Sequence, residues 1–268
     1  MVWRFLGVGR CSLFENMAID EAVFQETIDN GGRPALRFYW SASAAVSIGY
    51  FQNAKTEISL ESCRVDQVDV ARRITGGKAV LHCREITYSL TAPSTESLFP
   101  GDILGTYRIV SRCIARGLDY LGIRTQLARR GATRTETAGA CCFSVASEYE
   151  LLAGGRKICG SAQVRRRGGF LQHGLLFIDL DSAGMARYLS PGRGSEADIE
   201  GVVTSVNRER NRPAGAEEIC SCLKKGFEEE LGVRFEDDGL SAAEEALRNR
   251  LMGKYLDEDW NIERRKYF

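Results

Sequence analysis

Apolar and polar residues alternate along this chain at two periods, and the change from one to the other marks its elements. Leu13, Met17, Phe24 and Ile28 recur at helical spacing. Ser12-Leu13-Phe14-Glu15 before them has the form of a capping box, and Gly31-Gly32 supply a stop. The stripe Tyr107, Val110, Ile114, Leu118 and Leu121 predicts a strongly amphipathic helix over 104–121, with Gly122 ending it. Ile219, Leu223, Phe227 and Leu231 predict another over 217–231, stopped by Gly232. A second capping box, Ser241-Ala242-Ala243-Glu244, opens a helix through Leu247, Leu251 and Tyr255.

Between these lie runs of period two. Residues 36–40 put Leu36, Phe38 and Trp40 on one face, and 46–50 is the expected partner strand. Runs 68–74 and 78–81 flank Gly76-Gly77 and predict a hairpin-like turn there; 86–91 is a further strand. Runs 149–153, 156–165 and 170–180, joined at Gly154-Gly155 and Arg167-Gly168-Gly169, predict a three-stranded meander. Residues 190–201 read as a Gly- and Ser-containing loop and Glu236-Asp237-Asp238-Gly239 as an acidic loop. Strands dominate the middle, with helices before, between and after them. That order predicts an α/β fold of the α+β type, not a doubly wound parallel sheet.

With 268 residues, 44% of them hydrophobic, the chain can fill one large core. A single domain over 1–268, with a C-terminal helical segment from about 214 to 268, is expected. Basic and acidic residues balance at 36 each, so net charge gives no support for nucleic-acid binding. No apolar run approaches membrane-spanning length, and Met1-Val2-Trp3-Arg4-Phe5-Leu6 lacks the apolar core of an export signal. The nine cysteines are therefore expected to be reduced thiols of a cytoplasmic protein. No metal site is expected: no Cys pair has C-x2-C spacing, and His82 and His173 are far apart in sequence. Cys113 and the pair Cys220 and Cys222 fall in predicted helices and read as structural.

Two stretches carry chemistry. The first runs through Cys142-Phe143, Tyr149-Glu150-Leu151, Gly155-Arg156-Lys157, Gly160-Ser161-Ala162-Gln163 and Gln172-His173-Gly174. The meander brings Lys157, Gln163 and His173 near one another, with Cys142 on the loop entering it. A thiol is a strong nucleophile as thiolate, and a nearby cation favours that form. Lys157 is a candidate cation, and the combination suggests acyl transfer through a thioester on Cys142. The second stretch, Arg72-Arg73-Ile74-Thr75-Gly76-Gly77-Lys78-Ala79-Val80-Leu81-His82, pairs two glycines with two arginines. Glycines let backbone approach a ligand, and arginines can hold phosphate or carboxylate. It is not a P-loop, lacking the Gly spacing and the following Ser or Thr. On spacing alone, a plain Gly-Gly hairpin with solvated arginines is the favoured reading.

Together the two stretches resemble the biotin/lipoate protein ligase superfamily, and within it most resemble the octanoyltransferases of the LipM type. Asn16-Met17-Ala18-Ile19-Asp20-Glu21, Leu36-Arg37-Phe38-Tyr39-Trp40, Ile48-Gly49-Tyr50-Phe51-Gln52, Glu85 with Thr87-Tyr88-Ser89, and Lys254-Tyr255 with Trp260-Asn261 extend the likeness over nearly the whole chain. The resemblance implies a mixed, largely antiparallel β-sheet flanked by helices, with a tunnel for an eight-carbon chain. It implies Cys142 as acyl-accepting nucleophile and Lys157 beside the acyl carbonyl. Arg73, Gly76, Gly77 and His82 would line the pocket, Gly160, Ser161 and Gln163 would stand opposite, and His173 would belong to the flooring strand. The implied donor is octanoyl-acyl carrier protein, and the implied acceptor a lysine of a lipoyl domain, typically the glycine cleavage H protein. No cofactor is implied.

Cys141 adjoins Cys142, and Phe143 singles out the second thiol. Arg165-Arg166-Arg167, with Arg129, Arg130 and Arg134, offers a docking surface for an acidic carrier, or a set of solvated charges. An ATP- and Mg-dependent lipoate–protein ligase would share both stretches but need no thiol. An amidotransferase moving octanoyl between lipoyl domains would use one. A lipid-binding module would need neither thiol nor lysine, and a cysteine hydrolase would want a histidine with a carboxylate partner close to the thiol.

Overall fold

A computed structural model describes residues 1–128, 149–189 and 195–265. Cys141, Cys142, Arg129, Arg130 and Arg134 lie outside the described residues. In chain order the elements are β1 (Val2–Cys11), α1 (Leu13–Asn30), β2 (Ala35–Ser41), β3 (Ala45–Ile48), α2 (Ala54–Glu57) and α3 (Leu60–Val65). Then come β4 (Asp69–Arg72), β5 (Val80–His82), β6 (Glu85–Pro93), α4 (Ile103–Tyr120), β7 (Gln126–Leu127) and β8 (Leu151–Ala153). β9 (Arg156–Arg166), β10 (Gly169–Phe177), α5 (Ser182–Tyr188) and α6 (Glu196–Val202) follow. The chain continues through α7 (Ala216–Leu231), β11 (Arg234–Asp237), α8 (Ala242–Leu256) and α9 (Glu258–Asn261).

Among the described residues the main sheet has eight strands in the order β11-β1-β2-β6-β10-β9-β8-β7. β1 runs parallel to β11 and β2, and every other neighbouring pair is antiparallel. This is the mixed, largely antiparallel sheet flanked by helices that was expected. One face buries Phe38, Tyr88, Leu90, Phe170 and Leu176 against Val110, Ile114 and Leu118 of α4 and Ile219, Leu223 and Phe227 of α7. The opposite face carries α1 and α8, where Leu13, Met17 and Phe24 meet Leu247, Leu251 and Tyr255. It also carries a three-stranded sheet, β4-β3-β5, packed through Val46, Ile48 and Leu81 onto Leu175 and Phe177 of β10.

Caps set the helix ends where the sequence puts them. Ser12 accepts from the backbone N–H of Glu15, and Ser241 and Glu244 form a reciprocal capping box. Four expectations fail for non-local reasons. Residues 46–50 do not pair with 36–40: both edges of β2 are taken by β1 and β6, and β3 crosses into the small sheet. Gly76-Gly77 is not a hairpin turn. β4 pairs with β3 in parallel and β5 pairs with β3 antiparallel, so the segment between them crosses the end of the strand that separates them. Residues 196–202 are helical, opened by a capping box of Ser195 with Asp198 where the sequence reading expects loop. The first half of the acidic loop is strand: β11 lies beside β1 at the edge of the main sheet, with Phe235 buried and its charges in water.

Candidate active site

Between the two sheets lies a cavity of about 300 Å³. The main sheet contributes Tyr39, Thr87, Lys157, Gly160, Ser161, Ala162, His173, Gly174 and Leu175; α1 contributes Met17. The small sheet and its loop contribute Ser47, Arg73, Gly77, Lys78, Ala79, Val80 and His82, and Glu150 closes one side. The structure thus gathers Lys157, Arg73, Gly77, His82, Gly160, Ser161 and His173 around one space. Two other sequence candidates stand apart from it. Gln163 projects from the opposite face of β9, where its amide donates to Gln172 Oε1 at 2.8 Å. Gly76 is not a lining residue and enters through its carbonyl alone.

The glycine loop is built from within. Arg73 Nη2 donates to the carbonyls of Gly76 and Lys78 at 2.8 and 2.7 Å, and Nη1 donates to the Ser47 hydroxyl at 3.1 Å. A guanidinium presents five donors in a fixed fork, and here the fork shapes the loop's backbone. Arg72 is fully buried. It donates to the carbonyls of Gly49, Tyr50 and Gln52 on one side and of Trp260 and Ile262 on the other. Burial lowers its pKa to about 10, which leaves it protonated at neutral pH. The two arginines are therefore neither solvated charges nor a ready phosphate clamp. Gly77 takes a positive φ of 88°. A Cβ on Gly49 would overlap the Gly77 carbonyl oxygen, so the end of β3 and the loop touch backbone to backbone.

His173 braces the loop from the main sheet. Its Nδ1 lies 3.0 Å from Asp20 Oδ2 and its Nε2 2.7 Å from the Thr75 hydroxyl. Burial lowers the imidazole pKa below its usual 6.5, opposed by Asp20, and favours the neutral ring. With the proton on Nδ1 facing Asp20, Nε2 accepts from Thr75. Asp20 also accepts from the Tyr39 hydroxyl at 2.8 Å, and its α1 neighbour Asn16 accepts from Arg37 at 2.5 Å. On the other side of the loop His82 Nε2 meets the Ser47 hydroxyl at 2.9 Å, and His82 Nδ1 meets Glu85 at 3.2 Å.

Lys157 Nζ donates to Glu150 Oε1 at 2.7 Å, and both side chains are buried at the cavity wall. Glu150 belongs to the first motif, where its spacing alone assigns it no role. The signal that finds it is the register around Gly154-Gly155: Leu152 pairs with Lys157, so Glu150, two residues back, shares that face. Asp20 belongs to the Asn16–Glu21 stretch that carries the family likeness, and the apolar stripe of α1 by itself gives it no role. Asn16 and Asp20, four apart, are a buried polar pair facing inward.

Burial pushes up the thiols of all seven described cysteines: Cys63 to about 11, Cys159 and Cys220 to about 12, and Cys11, Cys83, Cys113 and Cys222 in the same direction. None of these seven is an activated thiolate. Among the described residues no group of three or more His, Cys, Asp or Glu could hold a metal ion, and no helix is long and apolar enough to cross a membrane.

The chain belongs to the lipoyl protein ligase A/B catalytic domain family, whose model matches residues 12–228. Its relatives include a protein of Kyrpidia tusciae named octanoyltransferase LipM, 37% identical over 268 residues, covering 97% of this chain and 98% of that one. A protein of the same name from Geobacillus kaustophilus is 35% identical, covering 98% and 99%. Among solved structures, a candidate lipoate protein ligase from T. acidophilum with bound lipoic acid superposes with a TM-score of 0.83 at 27% identity, covering 98% of this chain and 99% of that one.

Proposed function

We propose that this protein is an octanoyltransferase of protein lipoylation. It takes the octanoyl group from octanoyl-acyl carrier protein onto Cys142 and passes it to a lysine of a lipoyl domain, of the glycine cleavage H protein type. The observation that carries this reading is the cavity itself. It presents the Lys157 ammonium beside an apolar wall of Met17, Ala79, Val80, Ala162 and Leu175, in a chain whose relatives are named octanoyltransferases. Burying the methylenes of an eight-carbon chain against that wall supplies roughly 5 kcal/mol of binding, at about 0.8 kcal/mol each.

In the first step the Cys142 sulfur bonds to the acyl carbon and the bond from that carbon to the carrier's pantetheine sulfur breaks. In the second the neutral acceptor amine attacks, an amide forms, the nitrogen gives up a proton and Cys142 leaves as thiolate. Lys157 stabilises the developing oxyanion. Thioester exchange is nearly isoenergetic and amide formation is downhill, so no ATP, metal or other cofactor enters. A nucleophilic thiol needs a reducing compartment, which fits the cytoplasmic location expected from the cysteine usage.

Intact-protein mass spectrometry after mixing with octanoyl-acyl carrier protein, without ATP, tests the reading. A single hydroxylamine-labile octanoyl adduct on the wild type, absent from Cys142→Ala, is expected. Modification of a lipoyl domain only with free octanoate and ATP would instead assign a ligase.

A further inference from the structure

Lys157 is a flexible point charge on a four-carbon stem, and an electrophilic role demands that the charge be held in one place. The group that holds it is on the opposite arm of the β8–β9 turn. Glu150 Oε1 stands 2.7 Å from Lys157 Nζ, the two side chains are only 6% and 9% exposed, and both line the cavity. The backbone beneath Glu150 is fixed as well. Its carbonyl accepts from Ala128 N at 2.7 Å, Tyr149 N donates to Ala128 O at 3.0 Å, and the Ser111 hydroxyl of α4 donates to Tyr149 O at 2.8 Å. Beneath Lys157, the carbonyl accepts from Thr204 N at 2.9 Å. Of the neighbouring titratable groups, Tyr107 of α4 is a neutral donor, its hydroxyl bonded to Ser161 O at 2.9 Å. Cys159 on β9 is a neutral thiol. Arg73 lines the same cavity from the glycine loop.

We infer that Glu150 is a positioning residue for the acyl transfer: its carboxylate holds the Lys157 ammonium, charged and in place, against the cavity wall where the acyl carbonyl is presented. The inference rests on the octanoyl-transfer reading and adds a residue to it. Burial penalises a lone ammonium, and a carboxylate in contact offsets that penalty while fixing the direction of the remaining N–H donors. Lys157 keeps its proton throughout. The Cys142 sulfur forms its bond to the acyl carbon, the pantetheine sulfur leaves with its electron pair and takes a proton from solvent, and the ammonium stabilises the intermediate oxyanion.

The test is single-turnover acylation by octanoyl-acyl carrier protein, followed by intact mass, on the full chain and four variants: Glu150→Ala, Glu150→Gln, Lys157→Ala and the Glu150→Ala/Lys157→Ala double variant. Glu150→Ala is expected to lower the maximal acylation rate about 10- to 100-fold, the size of a lost charged hydrogen bond, with half-saturation by donor unchanged. Glu150→Gln, which keeps an acceptor oxygen without the charge, falls between. The double variant is expected to be no slower than Lys157→Ala alone, because Glu150 acts through the lysine. A wild-type rate in Glu150→Ala, or a double variant slowed by the product of the two single effects, would overturn the inference while leaving the transferase reading intact. Should Glu150→Ala not fold, near-isosteric Glu150→Gln and its combination with Lys157→Ala make the same comparison. No adduct on the wild type would remove the transferase reading, and the inference with it.

Discussion

Gly49→Ala tests whether the glycine loop owes its shape to backbone contact with the end of β3. An added methyl would sit 2.9 Å from the Gly77 carbonyl carbon and 3.1 Å from that of Gly76, and would overlap the Gly77 oxygen. Carbon atoms pack at about 3.5–4.0 Å, so the loop must retreat by about 1 Å. The retreat is resisted by Arg73, which holds the carbonyls of Gly76 and Lys78, and by Tyr50 N, which donates to Thr75 O at 2.8 Å. Overpacking of this kind costs about 1–3 kcal/mol, or roughly 2–10 °C of melting temperature for a protein of this size. The loss of activity should be larger than the loss of stability implies. Gly77 and Lys78 line the cavity, and a misplacement of about 1 Å can cost on the order of 100-fold in rate. The assay is thermal unfolding alongside acylation rate, with Gly239→Ala as control, since a Cβ there meets nothing within 4 Å. Gly49→Ala with wild-type melting and wild-type rate would refute the close-contact account.

Three further outcomes are expected. Lys157→Ala slows acylation without preventing folding, checked by mass spectrometry and circular dichroism; an unchanged rate removes Lys157 from the mechanism. Arg72→Met loses about 3 kcal/mol or more in a urea titration, because several buried carbonyls lose their donor at once; a loss below about 1 kcal/mol would show that water replaces the guanidinium. His173 makes stability fall in acid. Its folded pKa lies below the usual 6.5, so the unfolded chain binds a proton that the fold excludes. Stability is full above pH 6.5 and declines as pH drops from there toward the lower folded value, and comparing His173→Gln with the wild type at pH 7.5 and about 5.5 should show a shallower decline in the variant.

What was legible in the sequence was what is local. The α1 and α8 starts follow from Ser12 and Ser241, whose hydroxyls cap the helices they precede. The α4 stripe is buried at Val110, Ile114 and Leu118 as its spacing requires. The meander through β8, β9 and β10 is legible because tight turns join neighbours in sequence that are also neighbours in the sheet. The remainder depends on partners far along the chain. Val2–Cys11 drew no strand assignment: the register of β1 shifts between Phe5 and Val8, which breaks its alternation. β11 contains acidic residues because an edge strand needs only one buried side chain, here Phe235. The two arginines of the glycine motif could not be assigned from spacing: Arg72 takes its acceptors from carbonyls brought in from elsewhere, and Arg73 turns back onto Gly76 and Lys78 of its own loop. Of the site, Lys157, His82 and His173 were legible as residues; that Glu150 pairs with the first and Asp20 with the last was not.

The span of the Arg72 contacts bears on what the site needs to take shape. Its guanidinium meets carbonyls 188 and 190 positions further along, its backbone N–H donates to Asn261, and its carbonyl accepts from the indole of Trp260. The loop that roofs the cavity is therefore tied to α9, synthesised long after it. Without residues 260–262 the buried Arg72 cation would lose two of its five carbonyl acceptors, so the shape of the glycine loop depends on backbone atoms some 190 positions away.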